Sequence, residues 1–372
     1  MPCRALGTRG FSALRRHKPL PTSLIGLHRR SGTSTKGIQE VPILPSWDST
    51  VFEQAYRQNL PARLPRSREH LPAACAKWFV HDDDPGFDLF SNDDGRTINV
   101  PRSSELRASF WSEHESTFVP LEITTTRGAS TSPSALHHLA GTRISSTLGQ
   151  SEERFERIEA PLKILIAYLS KSTTTGTSAD SSQVAKEDVS IYLAQCDLLS
   201  LPASMQADVF VPALLHPSST SSSRSAIKGD IYTSSLWLGR PPTYTPLHRD
   251  PNPNLFIQLA GQKTIRLLPP DIGDALFHDV VTTTTSSPTM SPSSPTPFST
   301  TIRGEEMMYG PQKAALHDAI WNPSSIYSGL VRTHGLQTTL GLGDALFTPK
   351  GWWHSVKGVG GGVTASVNWW FR

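Results

Sequence analysis

Thr245-Pro246-Leu247-His248-Arg249-Asp250 is the stretch whose reading decides the fold. It lies between two runs that read as strands, residues 231–239 and 255–259. Successive side chains of a strand point to opposite faces, so His248 and Asp250 project to the same side. One imidazole and one carboxylate on one face supply two of the three donors of a two-histidine, one-carboxylate site. That donor set leaves positions on Fe(II) open for oxygen chemistry. H-x-D alone is weak, because a chain with 13 histidines offers many chances for it.

A third donor has to come from elsewhere. His354 lies in Gly351-Trp352-Trp353-His354-Ser355-Val356, on a late strand flanked by bulky apolar residues. A metal donor and a satisfied core histidine both fit that setting. His81, His114, His137, His138, His317 and His334 fall in polar or irregular stretches and read as surface residues. Lys263 begins the strand-like run K-T-I-R-L-L and shares a face with Ile265 and Leu267. A buried ammonium without a partner costs several kcal/mol, so an inward Lys263 should face an anion. A lysine snorkelling at a strand end is the alternative. A dicarboxylate beside a metal would account for an inward cation, and Thr245 could give it a hydroxyl.

The remainder of the chain sets limits. Its 372 residues are long enough for one large domain or two. Hydrophobic residues make up 37% and charged residues 18%, both low, so part of the chain is expected to stay unpacked. The three cysteines are too few and too scattered for a disulfide framework or a zinc finger, and they suit a reducing compartment. No run approaches the roughly 18 apolar residues that cross a bilayer, and no membrane partner is expected. Residues 1–40 form a leader with eight basic residues and no acidic one before Glu40. It resembles a mitochondrial transit peptide; a basic tail on a nuclear or cytosolic protein is the alternative. Without those eight the chain carries 27 basic against 32 acidic residues, which argues against a broad nucleic-acid surface.

Residues 41–188 read as a mixed α+β portion that packs on a barrel formed by residues 189–372. Helices are expected at Trp47–Leu60, with Asp48 or Ser49 as cap, and within Leu71–Phe79. Glu152–Ser170 also has a helical pattern, broken at Pro161, where a second helix could start. Strands are expected at Phe118–Ile123, Val189–Gln195 and Gly362–Phe371. Leu255–Leu259 and Thr264–Leu268 read as a hairpin. The Ser/Thr-rich stretches Thr124–Ser134, Lys171–Gln183, Pro217–Ser225 and Val281–Thr301 read as disordered inserts. The fold class is mainly β with flanking helices.

Together these residues carry a resemblance. T-P-L-H-R-D-P-N-P-N-L-F-I-Q-L-A-G-Q-K-T-I-R-L-L-P-P (245–270), G-D-A-L-F-T-P-K-G-W-W-H-S-V (343–356) and V-N-W-W-F (367–371) resemble the metal, distal-histidine and terminal strands of the JmjC-type 2-oxoglutarate-dependent oxygenases. Y-L-A-Q at 192–195 is similar to an element of the branch that contains the JmjC arginyl hydroxylases and the asparaginyl hydroxylase of hypoxia-inducible factor. The resemblance implies a double-stranded β-helix, the jelly-roll or cupin barrel. It implies Fe(II) held by His248, Asp250 and His354, with 2-oxoglutarate and O2 as cosubstrates. Lys263, Thr245 and Tyr192 would bind the distal carboxylate of 2-oxoglutarate, and Asn254 and Asn368 would line the pocket. Gln195, Trp237 and Trp370 would stand near the substrate entrance. The implied activity is a dioxygenase that hydroxylates a protein side chain, its partner being a polypeptide, with a homodimer left open. A histone lysine demethylase, an RNA hydroxylase and a non-catalytic cupin-like binding module are the alternatives. Trp352, Trp353, Trp369 and Trp370 are expected either to dry the site or to fill the core.

Overall fold

The computed structural model describes residues 37–81, 101, 103–126, 153–170, 188–216, 226–285 and 310–372. The leader up to residue 36, His137 and His138, and most of the Ser/Thr-rich stretches lie outside the described residues. The amino-terminal strands are β1 (Gln39–Glu40), β2 (Ala62–Leu64), β3 (Phe79–His81), β4 (Ser103–Leu106), β5 (Phe118–Thr126) and β6 (Glu153–Pro161). They are followed by β7 (Asp188–Asp197), β8 (Ile231–Gly239), β9 (Thr243–Arg249), β10 (Asn254–Ala260) and β11 (Gln262–Leu268). The last are β12 (Leu336–Leu340), β13 (Ala345–Thr348), β14 (Trp353–Val359), β15 (Gly361–Gly362) and β16 (Thr364–Phe371).

Two sheets form the barrel. One has the order β1-β12-β11-β14-β9, and the other β2-β13-β10-β16-β8-β7-β5-β6. From β8 to β11 the chain changes sheet with every strand, as a double-stranded β-helix requires. The expected hairpin at 255–268 is therefore incorrect. β10 and β11 follow each other in sequence but pair in different sheets. The turn between them is a corner. Gly261 sits there at φ +61°, where a Cβ would meet the Val363 carbonyl at 2.2 Å.

The helical reading of Glu152–Ser170 is half overturned. Residues 153–161 are strand β6, paired one-to-one with β5 from Thr126↔Glu153 to Phe118↔Pro161. Phe155 and Ile158 suit a helical period, but a nine-residue ladder with β5 outweighs that weak local signal. Pro161 then caps the helix Leu162–Leu169, as its fixed φ favours. Two Ser/Thr-rich stretches also begin inside regular elements. Thr124–Thr126 complete β5, and Val281–Thr285 complete the helix Pro270–Thr285, with Val281 buried.

The amino-terminal portion is fastened to the barrel by apolar and ionic contacts. In the helix Ser49–Gln58 the Asp48 carboxylate accepts from the Thr50 and Val51 amides, so the expected cap is present. Phe52 from that helix packs edge-on against Phe347, with ring centres 5.1 Å apart. It is fully buried, and truncating such a side chain costs about 3–5 kcal/mol. Arg63 and Arg66 both bond the buried Asp344 carboxylate, which also accepts from the Gly341 amide and fixes β2 beside β13. Outside the five-stranded sheet, helices at Pro270–Thr285, Gly310–Trp321 and Ser328–His334 cover Leu247 and Trp353. Those two residues point outward, and strand alternation therefore turns His248 and His354 inward.

Candidate metal centre

β9 and β14 are antiparallel neighbours, and their register places His248 directly opposite His354. The ring centres are 4.1 Å apart. Asp250 follows two residues after His248, where β9 ends, and its Oδ2 lies 3.7 Å from His354 Nε2. One donor atom from each residue lies within 4.8 Å of the other two. A divalent ion bonded at about 2.1 Å to donors at right angles needs separations of about 3 Å, within reach of small side-chain rotations. Each imidazole is oriented by its own backbone. His248 Nδ1 donates to the Pro246 carbonyl at 2.8 Å, and His354 Nδ1 to that of Trp352 at 3.3 Å. A carbonyl can only accept, so Nδ1 carries the proton and Nε2 keeps the lone pair that a metal takes. The three residues are 6–8% exposed. Two imidazoles and a carboxylate in such a setting fit a redox-active iron with exchangeable positions.

Lys263 marks the other end of the site. It is 2% exposed, so the inward reading holds and the snorkelling one does not. Its Nζ donates to Ser366 Oγ at 2.7 Å and Tyr192 Oη at 3.2 Å, with the Phe256 ring centre 5.5 Å away. None of these partners is a carboxylate. Burial pushes the ammonium down to about 7, because desolvation disfavours the charged form. Ser366 was not among the expected site residues. It lies two positions before Asn368 on β16 and so shares its face, a signal that alternation alone carried.

A small inner cavity of about 40 Å³ joins the two ends, lined by Tyr192, Thr245, His248, Lys263, His354 and Asn368, among others. Asn254 donates to Asp250 Oδ2 at 3.0 Å, and Asn368 donates to Asn254 Oδ1 at 3.2 Å. Two outer clefts abut the cavity. One, of about 230 Å³, is walled by Glu122, Phe155, Arg157 and Tyr244. The other, of about 480 Å³, is walled by Arg249, Asn252, His248 and Asp250. Gln195 borders both at φ +53°, on a bulge in β7, and Trp370 borders the larger. Trp237 reaches deeper than an entrance position. It lines the inner cavity as well and donates to Asn368 Oδ1 at 2.8 Å.

The other tryptophans divide as core. Trp369 belongs to the main apolar cluster, Trp352 donates to the Asn59 carbonyl, and Trp353 faces the outer helices. The reading of further histidines as surface residues fails at two positions. His114 is buried against Phe110, and His81 bonds both Ser104 Oγ and the Cys75 carbonyl. Their neighbours in space, which polar sequence context does not reveal, decide this.

A family model described as the cupin-like domain matches residues 107–372. The chain is 25% identical over 180 residues to the lysine-specific demethylase JMJ30 of Arabidopsis thaliana, covering 48% of this chain and 33% of that protein. It is 25% identical over 239 residues to the lysine-specific demethylase JMJ31 of the same plant, covering 58% and 36%. It is 27% identical over 180 residues to the Jumonji C domain-containing protein 5 of Drosophila melanogaster, covering 48% and 36%. The matched region spans about a third of the length of these curated relatives.

Proposed function

The chain belongs to the cupin-like domain family, and on that premise we propose that it is an Fe(II)- and 2-oxoglutarate-dependent oxygenase acting on a side chain of another polypeptide. One observation carries the reading. Two histidines of a two-histidine, one-carboxylate donor set line the same small cavity as a buried lysine that meets no carboxylate among the described residues. Iron(II) bound with 2-oxoglutarate supplies oxidation of a C–H bond by O2, with the keto acid leaving as succinate and CO2.

The residues divide that work. His248, Asp250 and His354 would hold the metal through three donors. Lys263 neutralises the distal carboxylate, with Tyr192 and Thr245 adding hydroxyls. An ionic partner raises the fraction of Lys263 that is protonated, so the cosubstrate restores the charge that burial had disfavoured. Asn254 and Asn368 fill the wall between the ends with amides whose bonds are already made. Gln195 and Trp370 stand where the outer cleft meets the metal, and a substrate side chain would pass them.

Hydroxylation of a protein side chain is the reading supported by Y-L-A-Q at 192–195, whose glutamine turns into the outer clefts. Demethylation has its own support, since two relatives are named lysine-specific demethylases. The same C–H oxidation on an N-methyl group gives a hydroxymethylamine that loses formaldehyde. Incubating the iron-loaded protein with peptide libraries, methylated and unmethylated, separates the two. Hydroxylation adds about 16 mass units and demethylation removes about 14. Succinate release that no polypeptide stimulates would overturn the assignment of a protein substrate.

A further inference from the structure

Four side chains form a hydrogen-bonded line running from the cleft wall to the metal centre. Trp237 Nε1 donates to Asn368 Oδ1 at 2.8 Å, Asn368 Nδ2 donates to Asn254 Oδ1 at 3.2 Å, and Asn254 Nδ2 donates to Asp250 Oδ2 at 3.0 Å. Pairing of β8, β16 and β10 brings them together on one face. Ser366 stands opposite Trp237 and Asn368 opposite Phe256, so each amide meets its partner on the diagonal. All four residues are buried, so a mismatched donor or acceptor would have no solvent to satisfy it.

The polarity of this line is forced. An indole can only donate, and a carboxylate can only accept. Between a donor at one end and an acceptor at the other, two amides have a single orientation that satisfies every link. Remove the indole N–H, and Asn368 Oδ1 becomes a buried acceptor without that donor, so the line is held from the Asp250 end alone. Any turn of Asn368 that relieves this sets oxygen against oxygen and disturbs the hydrogen bond that Asn254 gives Asp250. Trp237 also lies beside the cation end. Its ring centre is 6.2 Å from that of Tyr192, and it faces Ser366, so both hydroxyls that hold Lys263 are its neighbours.

We propose that Trp237 is a positioning residue, whose indole N–H fixes both asparagine amides and thereby the carboxylate that Asp250 presents to the metal. The proposal rests on the metal reading of His248, Asp250 and His354. Partners that orient a ligand typically change metal affinity 10- to 100-fold when lost, so a link three bonds away should act at about the lower figure.

Co(II), added to the full-length metal-free protein, serves as the probe, read by its dissociation constant and its visible d–d spectrum. Trp237→Phe keeps an aromatic ring and deletes the N–H. It should bind Co(II) about tenfold more weakly and shift the spectrum, while Asn254→Leu in that background adds less than it does alone. If Trp237→Phe folds poorly, 3-benzothienylalanine at position 237 preserves the indole outline without its N–H and is expected to give the same loss. Unchanged affinity and spectrum in a folded variant, or additive losses in the double variant, would overturn the proposal and leave the metal reading standing. An unaltered chain that binds no Co(II) would instead overturn the metal reading, and this proposal with it.

Discussion

The two ends of the inner cavity differ in how far the protein has already satisfied them. At the metal end Asp250 accepts from Asn254, and each histidine ring is tied through Nδ1 to a backbone carbonyl. At the cation end Lys263 meets two hydroxyls and a ring face, and no negative charge among the described residues. One end is oriented in advance, and the other is held in electrostatic deficit. The contrast teaches that orientation and affinity are assigned to different strands of one sheet. Strands β9 and β14 aim the metal donors, while β11 keeps a cation whose charge is fully favoured when an anion joins it.

Removing a metal donor should have the largest effect. His248→Ala or Asp250→Ala is expected to bring Fe(II)-dependent succinate formation down by on the order of 10³-fold or more, to background. A donor variant that retained substantial turnover would erase the distinction between the ends.

Lys263→Met comes next, and it should move two observables in opposite directions. Loss of a buried charge partner worth roughly 2–5 kcal/mol should raise the 2-oxoglutarate requirement by about 30-fold or more. The ligand-free protein should become more stable at pH 7 and below. Burial lowers the folded-state value from 10.5 to about 7, so between those limits the unfolded chain binds a proton that the folded chain does not. Stability contributed by this group therefore rises with pH across that window and is lowest below it. Thermal unfolding of wild type against pH should show that rise, and the methionine variant should lack it. Cosubstrate binding should show the reverse trend and weaken as pH climbs above about 7, because a proton must then be taken up.

Tyr192→Phe removes one hydrogen bond to the ammonium, and about a tenfold weaker binding of 2-oxoglutarate is expected, with metal affinity unchanged. A matching loss at the metal would show the two ends to be less separate than the contacts indicate. His317→Ala, smallest of all, should leave turnover within about twofold. That ring meets Tyr244 edge-on, outside the inner cavity.

The metal end was the more legible in sequence, for a physical reason. H-x-D on a strand fixes two donors on one face by local geometry, whereas His354 arrives from 106 residues away and depends on register. At the cation end the alternation K-T-I-R placed Lys263 inward, while its nearest partner Ser366, on the other sheet, was signalled only by sharing a face with Asn368. The fold errors have the same origin. Gly261 reads equally as a hairpin turn and as a corner between sheets, and only the partners of β10 and β11 decide. Residues 153–161 carry a helical period, yet the neighbouring β5 imposes a strand. Ser/Thr-rich composition concealed the buried Val281 at the end of its helix.

The central claim is that His248, Asp250 and His354 hold one iron beside a keto acid anchored on Lys263. Its most direct test is conversion of 2-oxoglutarate to succinate by the purified chain with added Fe(II), run beside His354→Ala. The account predicts iron-dependent succinate from the wild type and none above background from the variant. A folded, iron-loaded wild type that releases no succinate, or a variant that matches it, would contradict the account.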